Sequence, residues 1–148
     1  MPCDTRAVRR DLGHGFELDD DPARTDVAAV HRFLSEESYW AKGRALAKQE
    51  EYVRTAVRVV GLFHEGRQVG FCRAATTVGV PFVYLADVYV LPEHRGRGLG
   101  FELVREMIEN GPYAGHAWIL HTEDAHDLYR RLGFAVPSYK VMERLPRR

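Results

Sequence analysis

The chain has 148 residues, 45% of them hydrophobic, enough for a sizeable core within one domain. Its 21 basic and 21 acidic residues cancel, which argues against a general nucleic-acid or anionic-membrane binder and favours work on a small molecule. Cys3 and Cys72 lie far apart without metal-ligand spacing, and no apolar run approaches a membrane span or a signal-peptide core, so no disulfide framework, zinc site or anchor is expected and a cytoplasmic protein fits.

Residues 1–12 read as a loose tail ahead of a short strand at Phe16-Glu17-Leu18. Asp19-Asp20-Asp21-Pro22 then breaks the chain, as a solvated turn before a helix does. From Asp26, the spacing of Val27, Val30, Phe33 and Leu34 predicts a first helix ending near Ser38. Tyr39 and Trp40, followed by Gly43 and Arg44, form a short connection that is either a lid on the domain or a wall of a substrate pocket. A second helix runs through Leu46, Tyr52, Val53 and Ala56. Val57–His64 and Gln68–Thr76 flank Glu65-Gly66-Arg67 as a hairpin, and Phe82–Leu91 adds a third long strand, giving an antiparallel meander. After a helix and a loop at Gly111–Gly115, Ala117–His121 reads as a short buried strand, parallel to its predecessor through the crossover. Ala125, Leu128, Tyr129 and Leu132 share one side of a last helix that Thr122 caps and Gly133 ends, and Pro137–Arg144 is expected to supply the last strands.

The most informative stretch runs from Asp87 to Ile108. Val88-Tyr89-Val90 ends a strand at Pro92, and Gly96, Gly98 and Gly100 open a helix carrying Leu99, Leu103, Val104, Met107 and Ile108. Unpaired N–H groups at a helix start favour an anion, glycines let it approach the backbone, and Arg95 and Arg97 add charge, so a diphosphate suits the turn. The glycine spacing is not that of a dinucleotide fingerprint, and no Gly-Lys-Ser/Thr follows as a nucleotide P-loop requires.

Arg95, Gly98 and Gly100 resemble the Gln/Arg-x-x-Gly-x-Gly/Ala loop of the GNAT acyltransferases, and Ala125, Leu128, Tyr129, Gly133 and Phe134 match that family's Ala-x-x-Leu-Tyr-x-x-x-Gly-Phe signature. The resemblance implies an α/β fold of α+β type over residues 1–148, with a mixed central sheet, antiparallel N-terminal strands, a parallel splayed pair and helices on both faces. It implies an N-acetyltransferase using acetyl-CoA as co-substrate, often as a homodimer. Backbone groups of Val88, Tyr89 and Val90 would hold pantetheine by strand addition. Arg95, Gly96, Arg97, Gly98, Leu99 and Gly100 would hold the phosphates. Thr122 stands where many members have Asn, and Tyr39, Trp40 and Arg44 fall on the loop over the acceptor.

Direct transfer to an amine needs a donor for the oxyanion, an acid for the leaving thiolate and a sink for the amine's proton. The resemblance gives Tyr129 the acid role, which a phenol of pKa about 10 facing a thiol of about 8.5 can fill at neutral pH. Asp87 is the first candidate base, directly or through water, though it could instead order a neighbouring loop; Glu37, His121 and Asp124 are weaker candidates. The seven histidines lack metal-binding spacing, and Cys72 has no evident activating partner. A small amine is the expected acceptor, with a protein amine or a non-catalytic acyl-CoA sensor as alternatives. An arginine at position 44 suits an acceptor bearing carboxylate or phosphate, and Trp40 a flat one.

Overall fold

A computed structural model describes residues 8–147 of the chain. Strands β1 (Arg9–Gly13), β2 (Phe16–Asp19), β3 (Arg58–His64), β4 (Arg67–Ala75), β5 (Phe82–Val90) and β6 (Ala117–Ile119) lie side by side in sequence order. Every neighbouring pair is antiparallel except β5 and β6, which are parallel. Helices α1 (Val27–Glu37) and α2 (Leu46–Thr55) separate β2 from β3, α3 (Leu99–Glu109) joins β5 to β6, and α4 (His126–Arg131) follows. This is the mixed sheet expected from the sequence. No helix among the described residues is long and apolar enough to cross a membrane.

The strands' period of two divides the core between two faces. Val60, Leu62, Cys72, Val83 and Leu85 point toward α3, where Leu103, Val104 and Met107 are fully buried. Val59, Phe71 and Tyr89 point the other way, onto Val30, Phe33 and Leu34 of α1. Each fully buried Leu or Met contributes about 2–3 kcal/mol relative to leaving it in water. Asp26 starts α1 by accepting a hydrogen bond from Ala29 N at 3.0 Å, while its own N–H donates to Gln68 Oε1 at 2.7 Å and ties the helix start to β4.

Buried polar groups fix α3 in place. Arg58, on the central strand β3, is 7% exposed. Its Nη1 donates to the carbonyls of Glu106 and Met107 at 2.8 and 3.2 Å, serving the end of α3, while Nη2 reaches Asp20 Oδ2 at 3.1 Å. A Cβ on Gly111 would lie 2.4 Å from Arg58 Nη1, so this loop glycine makes room for the guanidinium.

Three expectations need correction. Residues 9–12 are not a loose tail but part of β1: Arg10 and Leu12 alternate inward, and Arg10 Nη2 donates to Glu102 Oε2 on α3 at 2.8 Å. An arginine as the inward-facing side chain hid the strand's alternation. Residues 1–7, Cys3 among them, lie outside the described residues. Pro137–Arg144 forms no strand, and Val136, Tyr139 and Met142 are 87%, 91% and 94% exposed. The strand at Ala117 is three residues long and only half buried, because it is the outermost of the sheet.

Candidate functional site

The site begins with an irregularity in β5. Between its partners Phe71 and Arg73, β4 has one residue, Cys72; opposite, between Ala86 and Tyr89, β5 has two, Asp87 and Val88. The extra residue makes a bulge, with Asp87 at φ 57°, a left-handed conformation that Asp tolerates better than most residues. The bulge reverses the strand's parity. Val83 and Leu85 face the α3 core before it and Val88 and Val90 after it, which leaves Asp87 on the α1 and α2 face beside Arg73.

Asp87 is buried and its carboxylate is fully engaged. Oδ2 accepts from Arg73 Nε at 2.7 Å and Arg44 Nη1 at 2.8 Å, and Oδ1 accepts from Trp40 Nε1 at 3.1 Å. Burial alone would raise this carboxyl, but the Arg73 and Arg44 charges and hydrogen bonds outweigh it and hold it below the ordinary aspartate value. The guanidiniums of Arg73 and Arg44 also lie 4.5 and 5.0 Å from the ring centre of Tyr52 on α2.

β5 and β6 pair only from Phe82 opposite Ala117 to Tyr84 opposite Ile119. Beyond that they part, and the β5 edge from Leu85 to Val90 has no strand beside it among the described residues. Leu91 N donates to Val69 O at 2.8 Å on the β4 side, so by alternation the Val90 peptide faces the open edge, where Arg95 Nε donates to its carbonyl at 2.9 Å. Tyr89 turns its side chain away from the opening, stacked on Phe33 of α1, and its backbone pairs with Phe71 of β4. A cleft of about 780 Å³ occupies the split, bordered by β5, by Leu120 to Thr122 and by Tyr129.

At one end of the cleft the chain passes through a short turn at Pro92–His94 into α3. Gly96 at φ 81° and Gly98 at φ 75° occupy conformations that L side chains rarely adopt, and Gly98 heads α3 with no side chain capping the first-turn amides. Gly100 is different. It is helical, and a Cβ there would meet only Val90 Cγ2 at 3.8 Å and Leu128 Cδ2 at 3.9 Å, ordinary contacts. The fold does not require glycine at this position, yet its bare Cα leaves the uncapped amides open to the cleft. That combination fits a diphosphate. Leu99 is buried and anchors the helix start. Arg97 does not border the cleft: its guanidinium lies 5.9 Å from the Phe16 ring centre.

Tyr129 is 8% exposed and edge-on to Phe134. Burial, with smaller contributions from Cys72, Tyr39 and Asp124, pushes its phenol well above the ordinary value, so it keeps its proton at neutral pH. Burial likewise pushes up the thiol of Cys72, which is unsuited to act as a thiolate. Thr122 Oγ1 accepts from Ala125 N at 3.2 Å, closing the turn ahead of α4 rather than capping the helix itself. Glu123 N donates to Tyr39 Oη at 2.7 Å, so the aromatic connection is latched to that turn.

A second polar chain enters from the β6 side. Tyr84 Oη lies 2.6 Å from His121 Nδ1, and His121 Nε2 lies 2.6 Å from Glu143 Oε2. A carboxylate can only accept, so Nε2 carries the hydrogen, and the Nδ1 lone pair accepts the Tyr84 hydroxyl.

The cleft therefore gathers Tyr39, Trp40, Arg44, Asp87, Val88, Tyr89, Val90, Arg95, Gly96, Gly98, Leu99, Gly100, Thr122 and Tyr129, but neither Arg97 nor Glu37. Tyr52, Arg73 and Tyr84 also line it and were not among the expected residues. A signal for Arg73 existed: an arginine inside the apolar strand Phe71-Cys72-Arg73-Ala74 requires a buried partner.

Residues 55–136 match the family model described as the acetyltransferase (GNAT) domain. A Gibberella zeae protein named as an acetyltransferase is 31% identical over 76% of this chain and 75% of its own length. Streptothricin acetyltransferase of Streptomyces lavendulae is 32% identical over 83% of this chain, a match that spans 65% of the Streptomyces protein. Among solved structures, a GNAT-family protein of Xanthomonas campestris pv. campestris superposes with a TM-score of 0.81 at 36% identity, covering 92% of this chain and 96% of that one.

Proposed function

The chain belongs to the GNAT family of acetyltransferases, enzymes that take their acetyl group from acetyl-CoA, and on that premise we propose that it acetylates the primary amine of a small molecule directly, as a cytoplasmic homodimer. The observation that carries this reading is the split between β5 and β6, which leaves an unpaired strand edge running from the uncapped start of α3 toward Tyr129 and the Asp87 cluster. The named substrate of the Streptomyces relative supports a small-molecule acceptor. The strand-free outer edge of β6 and the exposed Val136, Tyr139 and Met142 support self-association.

In this reading the α3 amides, Gly96, Gly98, Gly100 and Arg95 take the diphosphate, while the edge peptides at Val88 and Val90 take pantetheine as an added strand. The thioester supplies an activated acetyl carbonyl. The Val90 amide steadies the oxyanion, and Tyr129 donates its proton to the departing sulfur. Asp87 serves a different purpose from the base expected of it. A carboxylate held below its ordinary value by two guanidiniums is a poor proton acceptor, and both its oxygens are engaged. It positions Trp40, Arg44 and Arg73.

The proton leaves instead through Tyr84. As the amine attacks, its proton passes to Tyr84 Oη while the Tyr84 proton passes to His121 Nδ1, and Glu143 stabilises the resulting imidazolium. Burial pushes the Tyr84 phenol upward, so it relays the proton without resting as a phenolate. His121→Gln should lower kcat about a hundredfold with acetyl-CoA affinity unchanged. The whole reading is tested by incubating the protein with acetyl-CoA and a panel of amines and measuring CoA thiol release with mass detection of the N-acetyl product. Product formation is expected, and its absence across chemically diverse amines would contradict the proposal.

A further inference from the structure

Trp40, Arg44, Gln49 and Arg73 crowd donors around Asp87, yet they share few acceptors. Arg44 spends Nη1 on Asp87 and on Gln49 Oε1 at 2.9 Å, and Arg73 spends only Nε. Arg44 Nε and Nη2 and Arg73 Nη1 and Nη2 have no hydrogen-bond partner among the described residues, and none of them is completely buried. Gln49 Nε2, fully buried beside Arg44, is likewise without an acceptor. Two guanidiniums whose side chains are 14% and 13% exposed therefore face one carboxylate, leaving an uncompensated positive charge on the cleft wall. Structural neutralisation of Asp87 would need one arginine.

We propose that the acceptor amine carries an anionic group, a carboxylate or a phosphate, which the free edges of Arg44 and Arg73 bind over Tyr52 and next to Trp40. The inference rests on the acetyl-transfer reading and names the acceptor's class within it. A planar guanidinium edge matches two oxygens of either anion, and in a half-closed cleft such pairs are stronger than in water. The same charge disfavours a second ammonium on the acceptor, so polycationic amines are excluded. It also disfavours the protonated form of the reacting amine, helping to present the neutral nucleophile near Tyr84.

Trp40 gives a direct probe, because its indole N–H donates to Oδ1 of the carboxylate whose Oδ2 holds the two arginines, whereas the Trp118 indole donates to Tyr113 O at 3.3 Å outside this cluster. Protein labelled with ¹⁵N at its tryptophan indoles is titrated, with and without acetyl-CoA, with propionate, propylphosphonate, propylammonium and propionamide. The Trp40 signal should shift saturably with one or both anions, not with the cation or the neutral amide, while Trp118 stays fixed; which anion wins identifies the source chemistry. Arg73→Gln and, independently, Arg44→Gln should each weaken the anion response about tenfold or more, and each leaves one guanidinium on Asp87. In the acetylation assay β-alanine or 3-aminopropylphosphonate should exceed propylamine and spermidine at least about tenfold in kcat/KM. A Trp40 signal unmoved by both anions, or faster acetylation of propylamine or spermidine, overturns the inference. If acetyl-CoA binds while Trp40 ignores anions, only this inference fails; if acetyl-CoA does not bind, the acetyl-transfer reading itself fails.

Discussion

Tyr129 and Asp87 are both buried, and they shift in opposite directions because only Asp87 meets opposite charge. Tyr129 meets little but desolvation and keeps its proton, as an acid must until the thiolate departs. Tyr129→Phe removes one oxygen and little volume, so kcat should fall about a hundredfold or more while acetyl-CoA binds unchanged, a split that pre-steady-state assays and calorimetry resolve. Asp87 meets the same burial but also two guanidiniums, and its folded value lies below its ordinary one. The unfolded chain therefore takes up this proton first as pH falls. The stabilisation from Asp87 is complete above the unfolded value of about 3.9 and is lost as pH drops through the folded value. Urea midpoints measured between neutral pH and pH 3 should fall at the acid end, and Asp87→Asn should flatten that fall. At pH 7 the same substitution should cost about 3 kcal/mol, since it leaves Arg44 and Arg73 facing each other without their carboxylate.

At the scale of elements, the cleft exists because β5 pairs with β4 along most of its length and with β6 over three residues only. The glycine turn and α3 could be read directly from the sequence, because their signals are local: proline, three glycines, then apolar residues at helical spacing. The bulge could not. It depends on register between β4 and β5, and a single residue of slip exchanges the faces of everything beyond it. Asp87 was therefore recognisable as a polar residue in the right strand that could order a neighbouring loop, while its pairing with Arg73 and Arg44 over Tyr52 was not. β1 escaped notice for a related reason, since Arg10 faces inward to meet Glu102 and carries no apolar signature. The end of α3 offers a further test. Because a Cβ on Gly111 would press into the Arg58 guanidinium, Gly111→Ala should displace it from the Glu106 and Met107 carbonyls and lower the melting temperature, at a cost of about 1–3 kcal/mol.

For the whole molecule, the central meander, the parallel crossover, helix placement and family were legible because they follow from periodicity and two sequence signatures, whereas the cleft's wall around Asp87 is assembled from the α1–α2 connection, α2, β4 and β5, and its far side is joined to the C-terminal segment, by contacts of long sequence separation. Arg44 reaches Asp87 across 43 positions and Glu143 reaches His121 across 22. If the open β5 edge and the start of α3 hold acetyl-CoA, as proposed, Gly100 tests it from two sides at once. Gly100→Asp fits its Cβ in ordinary contact and sets a carboxylate in the first turn of α3, where the helix dipole favours negative charge but a diphosphate is repelled, and it should raise stability by about 0.5–1 kcal/mol over glycine. In isothermal titration the same variant should bind acetyl-CoA about tenfold more weakly than the parent protein, which should itself prefer acetyl-CoA to ATP and NAD. Unchanged acetyl-CoA affinity in the stabilised variant, or no selective binding by the parent, would contradict the account.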